Sequence, residues 1–174
     1  MICLTVPKLF IIKNVDKNKS HTIIIQILKN YFKIRNPKVI RNEHGKPYVL
    51  NEKVFFNISY SDDLMICLVS STEVGVDIEK KRKYNKNIVK KIFSQCEQEK
   101  MDIDKFWEYW TIKESYLKYK GIGIIDELYK VEIENEGEYK IKNDTPYVCV
   151  RRFKDYVIAI CSEDRISALD IKYI

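Results

Sequence analysis

Apolar residues along this chain alternate between two spacings, one suited to helices and one to strands. From the capping candidate Ser20 onward, Ile23, Ile27, Leu28 and Tyr31 keep a helical period, and the Asn36-Pro37 pair breaks it. An apolar opening segment, 2–6, precedes that helix. Strand-like runs then fall at 47–50, 54–59, 64–70 and 74–79. A second helical pattern covers 85–93, with Ile88, Val89, Ile92 and Phe93 on its apolar side, and a stronger one covers 102–120. Strands at 131–134, 147–153, 156–161 and 166–171 close the chain. Helix followed by antiparallel-type strands occurs twice, without a clear internal repeat, so the class is α+β or mixed α/β.

Within the strand at 74–79, Gly75-Val76-Asp77-Ile78-Glu79 sets two carboxylates two residues apart in a β-branched run. Side chains at i and i+2 of a strand share a face, so Asp77 and Glu79 project together while Val76 and Ile78 go the other way. Like charges on one partly buried face call for a cation or a basic partner. An oxygen-only pair suits Mg²⁺ or Mn²⁺ better than zinc. The plainer reading is an edge strand with a solvated acidic face.

The helix over 102–120 carries Trp107-x-x-Trp110-x-x-Lys113-Glu114-x-x-x-Lys118. At about 100° per residue, Trp110, Glu114, Leu117 and Lys118 form one stripe with Lys113 at its border. Charges beside a buried face fit either an ordinary i,i+4 pair, Glu114 to Lys118, or a third carboxylate joining Asp77 and Glu79 with lysines for a phosphate.

Charge sharpens this picture. Residues 1–83 hold 15 Lys/Arg against 8 Asp/Glu, while 84–174 hold 16 against 17, so the net +6 resides in the first half. A basic half attracts an anion: nucleic acid, a phosphorylated cofactor or an acidic protein. A genome bias towards lysine explains part of the excess. The run Lys80-Lys81-Arg82-Lys83 is the candidate boundary between residues 1–82, the basic half, and residues 83–174, which carry the long helix and later strands. No stretch has the roughly 18–20 apolar residues of a membrane span, and the N-terminus lacks a signal-peptide pattern, so the expectation is a cytoplasmic protein. Cys3, Cys67, Cys96, Cys149 and Cys161 show no C-x-x-C spacing and read as reduced core residues.

Four segments in order, Gly45-Lys46-Pro47, Phe56-Asn57-Ile58-Ser59-Tyr60-Ser61, Gly75 to Glu79, and Trp110-x-x-Lys113-Glu114-Ser115-x-x-Lys118-x-x-Gly121-x-Gly123, resemble the Sfp-type 4′-phosphopantetheinyl transferases. Each motif alone is weak, and four in register are a strong signal. The resemblance, over residues 45 to 123, implies two similar α/β halves in a pseudo-twofold arrangement with the active site between them. It implies transfer of the phosphopantetheine arm of coenzyme A to a serine of an apo acyl or peptidyl carrier protein, with Mg²⁺, by a monomer that needs neither nucleic acid nor membrane.

By the same resemblance, Asp77, Glu79 and Glu114 are metal ligands, and Glu114 orients or deprotonates the serine. Lys113 and Lys118 are phosphate contacts, with Lys118 also serving the leaving group, and Glu97 assists the base. Its plainer reading is a solvated carboxylate at a helix start. Lys46 and Pro47 line the adenine end, and Ser59 with Tyr60 contacts a coenzyme A phosphate. Tyr60 departs from the His that many members have there, and a phenol cannot become cationic. The region upstream is also shorter than in larger members, leaving Lys17, Lys19, His21 and Lys29 without an assigned role; His21 and His44 read as surface or cap residues. Two rival readings stay open: a homologue that binds coenzyme A or a carrier protein without turnover, and a Mg²⁺-dependent nuclease.

Overall fold

The computed structural model describes residues 6–99, 101–122 and 128–174. Its first sheet is built on β1 (Lys8–Lys13), β4 (Phe55–Ser61) and β5 (Leu64–Ser70), with β11 (Asp170–Tyr173) added in parallel to β1. The helix α1 (Ser20–Phe32) covers one face. A hairpin of β2 (Val39–Arg41) and β3 (Pro47–Val49) stands beside it. The second sheet runs β6 (Val74–Lys80), β10 (Tyr156–Ser162), β9 (Tyr147–Phe153), all antiparallel. Two short helices, α2 (Lys86–Ile92) and α3 (Gln95–Glu99), lead to α4 (Ile103–Lys120), and the β7–β8 hairpin (Ile133–Asn135 and Tyr139–Ile141) follows.

Strand alternation explains how these layers stack. On β1, Phe10 and Ile12 pack towards α1 while Leu9 and Ile11 turn to the second sheet; on β5, Met65, Cys67 and Val69 go one way and Leu64, Ile66 and Leu68 the other. The second sheet answers with Val74, Val76, Ile78, Ile158 and Ile160 in the inter-sheet core, and with Val157 and Ala159 beneath α4. The order of layers is therefore α1, first sheet, second sheet, α4. Strands covered on both faces read as unbroken apolar runs rather than as alternation. The class is mixed α/β, as expected.

The sheets cross the boundary expected between residues 82 and 83. β6, from the first half, pairs with β10 of the second, and β11, from the second half, pairs with β1 of the first. Several local expectations also shift. The first described strand is Lys8–Lys13; the expected segment 2–6 lies outside the described residues except for Val6. Helix α1 begins at Ser20 itself, whose hydroxyl donates to the Lys17 carbonyl instead of capping, and it ends at Lys33 in the left-handed region, ahead of Asn36-Pro37. Helix α4 is capped at both ends: Asp102, read as its first residue, stands just outside it and accepts from Lys105 N, and Gly121 closes it at φ 67°. Cys67 and Cys161 are buried thiols, Cys149 is half-buried, and Cys96 is exposed on α3, contrary to its reading as a core residue. No helix among the described residues is long and apolar enough to cross a membrane.

Candidate active site

The site grows from one close approach. Val76 and Ile78 enter the inter-sheet core, so Gly75, Asp77 and Glu79 face α4. A Cβ on Gly75 would lie 2.1 Å from the Ser115 carbonyl oxygen and 2.2 Å from Tyr119 N. Glycine alone lets β6 touch the backbone of α4. That contact brings Asp77 Oδ1 to 2.6 Å from Lys118 Nζ. Ser59 Oγ on β4 donates to the same oxygen at 2.6 Å and accepts from Lys118 Nζ at 2.9 Å.

Ser59 belongs to a wider seam. Alternate residues of β4 reach β6 through side chains: Asn57 Oδ1 accepts from Val76 N at 3.0 Å, and Ser61 Oγ accepts from Lys80 N at 2.9 Å and donates to Glu79 Oε2 at 3.3 Å. The segment expected to contact coenzyme A thus also links the first sheet to β6. Ser59 is buried with its hydroxyl engaged on both sides. Tyr60, one residue on, faces the opposite way, towards α1, with Lys17 Nζ 5.4 Å from its ring centre.

Three carboxylates share this end of β6 and α4. Glu79 is pushed up to about 7, first by burial and then by the negative charge of Asp77. Glu114 is raised for the same two reasons in the same order, with Lys118 opposing. Asp77 Oδ2 is buried and has no hydrogen-bond partner. No three His, Cys, Asp or Glu side chains among the described residues are already grouped as a metal site, and Lys118 supplies the positive charge beside Asp77. An orphaned carboxylate oxygen beside two carboxyls that resist ionising fits a hard divalent cation held by Asp77, Glu79 and Glu114.

Glu114 and Lys118 open onto a cleft of about 210 Å³ that also takes in Pro47, Ile58 and Arg41. An adjoining hollow of about 420 Å³ shares Arg41, Pro47 and Ile58 and continues to Tyr60, Lys17 and His21. Arg41 and His44 belong to no motif, and Lys17 and His21 have no assigned role in the sequence; the excess of positive charge in the first half is the signal that Arg41 and Lys17 carry. Pro47 lines the cleft. Lys46 does so with its alkyl chain, but its ammonium is turned inward, to Glu73 Oε1 at 2.5 Å, Tyr119 O at 2.9 Å and Val74 O at 3.2 Å, and burial lowers its pKa. A larger cavity, about 610 Å³ along β9, holds none of the expected site residues.

Glu97 and Lys113 are placed elsewhere. Lys113, 0% exposed, donates to Glu97 Oε2 at 2.8 Å, Ile92 O at 2.9 Å and Leu128 O at 3.2 Å, which occupies all three of its protons. Glu97 in turn accepts from Ser94 N at 2.8 Å and Ile133 N at 3.0 Å. Neither side chain reaches Asp77. The solvated carboxylate read at position 97 is in fact buried, and the phosphate contact expected of Lys113 has no exposed atom to make it.

Residues 73–161 match the 4′-phosphopantetheinyl transferase superfamily. Over 110 residues, 58% of this chain and 44% of the relative, the sequence is 36% identical to the 4′-phosphopantetheinyl transferase gsp of Aneurinibacillus migulanus. Over 135 residues, 69% of this chain and 60% of the relative, it is 31% identical to a 4′-phosphopantetheinyl transferase of Bacillus subtilis. It is 36% identical over 104 residues to the 4′-phosphopantetheinyl transferase HetI of a Nostoc species, covering 51% of this chain and 43% of that one. The chain spans about half the length of the curated relatives it matches.

Proposed function

Because this chain belongs to the 4′-phosphopantetheinyl transferase superfamily, we propose that it transfers the 4′-phosphopantetheine arm of coenzyme A to a serine hydroxyl of an apo acyl or peptidyl carrier protein. The observation that carries this reading is the junction of β6 and α4, where Asp77, Glu79, Glu114 and Lys118 meet at the mouth of a basic cleft. Serine Oγ bonds to the phosphorus bearing pantetheine, the diphosphate bridge breaks, and 3′,5′-ADP leaves with the bridging oxygen.

Asp77, Glu79 and Glu114 would hold Mg²⁺, or Mn²⁺ in its place, and a cation bound there would supply positive charge to offset that gathering on the phosphates. Glu114 takes the serine proton. It is the acidic member that lines the cleft. Lys118 shifts from Asp77 to the diphosphate and stabilises the leaving oxygen. Arg41, Lys17 and His21 line the continuation of the cleft, where the remaining phosphate of coenzyme A meets positive charge. Lys17 above Tyr60 restores at that position the cation that a tyrosine lacks. Glu97 and Lys113 brace α4 rather than touching substrate. The reading is of a cytoplasmic monomer acting on coenzyme A and a carrier protein, not on nucleic acid.

Incubation of the full chain with coenzyme A, Mg²⁺ and a panel of apo carrier proteins should give the phosphopantetheine adduct by mass spectrometry, and Asp77→Ala or Glu114→Ala should abolish it. Coenzyme A binding without an adduct on any carrier would establish the non-catalytic homologue instead. Cleavage of DNA or RNA that needs the same carboxylates would establish the nuclease.

A further inference from the structure

Two indoles on α4, three residues apart, differ in a way the chemistry above does not use. Trp107 donates its ring N–H to the Arg82 carbonyl at 2.8 Å. Trp110, only partly buried as a residue, has its ring nitrogen shut off from solvent and without a hydrogen-bond partner. Native folds rarely leave such a donor unpaired, because a buried N–H without an acceptor has lost its water and gained nothing in return. The ring is held from behind. It stacks on Phe106 at 6.0 Å and 22°, and Phe106 stacks on Tyr84 at 4.0 Å and 1°.

The acceptor beside the Trp110 N–H is Glu79, on the face of β6 that meets α4, and the two groups stop short of hydrogen-bond geometry. Glu79 is otherwise loosely held, with the Ser61 hydroxyl at 3.3 Å as its hydrogen-bond donor among the described residues. Asp77, by contrast, is pinned by Ser59 and Lys118 at 2.6 Å each. The site therefore pairs one fixed carboxylate with one that can still rotate, beside a fixed donor with nothing to bond.

We infer that Trp110 is a positioning residue for Glu79: its indole N–H donates to one carboxylate oxygen and so aims the other at a divalent cation. This rests on the reading of Asp77, Glu79 and Glu114 as metal ligands. Donors behind a metal-binding side chain orient it, and their loss commonly weakens metal binding 10–100-fold. A purely packing role for Trp110 requires only its ring.

Trp110→Phe keeps a ring in the stack and removes the N–H, so Mg²⁺ titration of the full chain at pH 8, without coenzyme A, separates the two roles. The variant should bind Mg²⁺ about tenfold or more weakly than the unaltered chain. In ¹⁵N-labelled unaltered protein the Trp110 indole resonance should move as Mg²⁺ is added, while that of Trp107 stays in place. The Trp110 shift should vanish in Glu79→Gln. Unchanged Mg²⁺ affinity in Trp110→Phe, or a Trp110 resonance indifferent to Mg²⁺, would overturn the inference. If Glu79→Gln also binds Mg²⁺ normally, the metal-ligand reading itself falls. Should Trp110→Phe fail to fold, the resonance of the unaltered protein decides.

Discussion

Burial, and then the negative charge of Asp77, work against the ionised form of Glu79. In the metal-free protein it titrates at about 7, against 4.5 for an unperturbed glutamate. Between those two values the folded chain keeps a proton that the unfolded chain has released, so this group makes stability fall as pH rises through that window. Melting curves from pH 5 to 8 without metal should decline more steeply for the unaltered chain than for Glu79→Gln, and Mg²⁺ at pH 8 should restore the former more than the latter. Parallel slopes would remove Glu79 from the carboxylate cluster. The buried pair gives a second test. Glu97→Gln leaves the Lys113 ammonium buried without its counter-charge and should cost about 3–5 kcal/mol in denaturant unfolding. A loss below 1 kcal/mol would contradict the bracing role. The shared face of Asp77 and Glu79 could be read directly from strand alternation. The surroundings of Lys113, Lys46 and Ser59 could not, because Glu97, Glu73 and Lys118 lie 16, 27 and 59 residues away and nothing local selects them.

Between elements, the contact of β6 with α4 decides whether the site assembles. Gly75→Ala sets a methyl group against helix backbone, which cannot swing aside as a flexible side chain would. The helix must lift, with a loss of about 2–3 kcal/mol and of the Asp77 to Lys118 contact. Calorimetry and Mg²⁺ titration should both register the change, and a native melting temperature would show that the two elements have slack. Long elements were legible because each carries its own signal. The apolar run Leu64–Ser70 and the strand Tyr147–Phe153 fall where their sequence puts them, and Asp102 caps α4. The short strands Val39–Arg41 and Tyr139–Ile141 and the helix Gln95–Glu99 went unread. Three to five residues show too little periodicity, and their partners supply the rest.

For the whole molecule, β6 and β11 each join a sheet built on strands of the other half, so neither of the two larger sheets lies wholly within 1–82 or 83–174. Expressed alone, 1–82 would expose Leu9, Ile11, Ile66 and Leu68, which the second sheet now covers. Such a fragment should show poorly dispersed amide resonances, and a well-dispersed spectrum would establish it as an independent domain. The charge run at Lys80 to Lys83 was visible as a boundary, but hydrogen bonding between distant strands leaves no mark on local composition. The same interleaving has a temporal side. Lys8 on β1 meets Asp170 across a separation of 162 residues, and a ribosome adding roughly 5–20 residues per second takes on the order of ten seconds or more to cover it. From the synthesis of Lys80 until that of Ser162, the nascent chain holds Asp77 and Glu79 on a strand whose partner β10 is still being made. A product stalled before β10 is therefore born without a placed carboxylate pair, and competence at the site arrives only once β10 and β11 have been made.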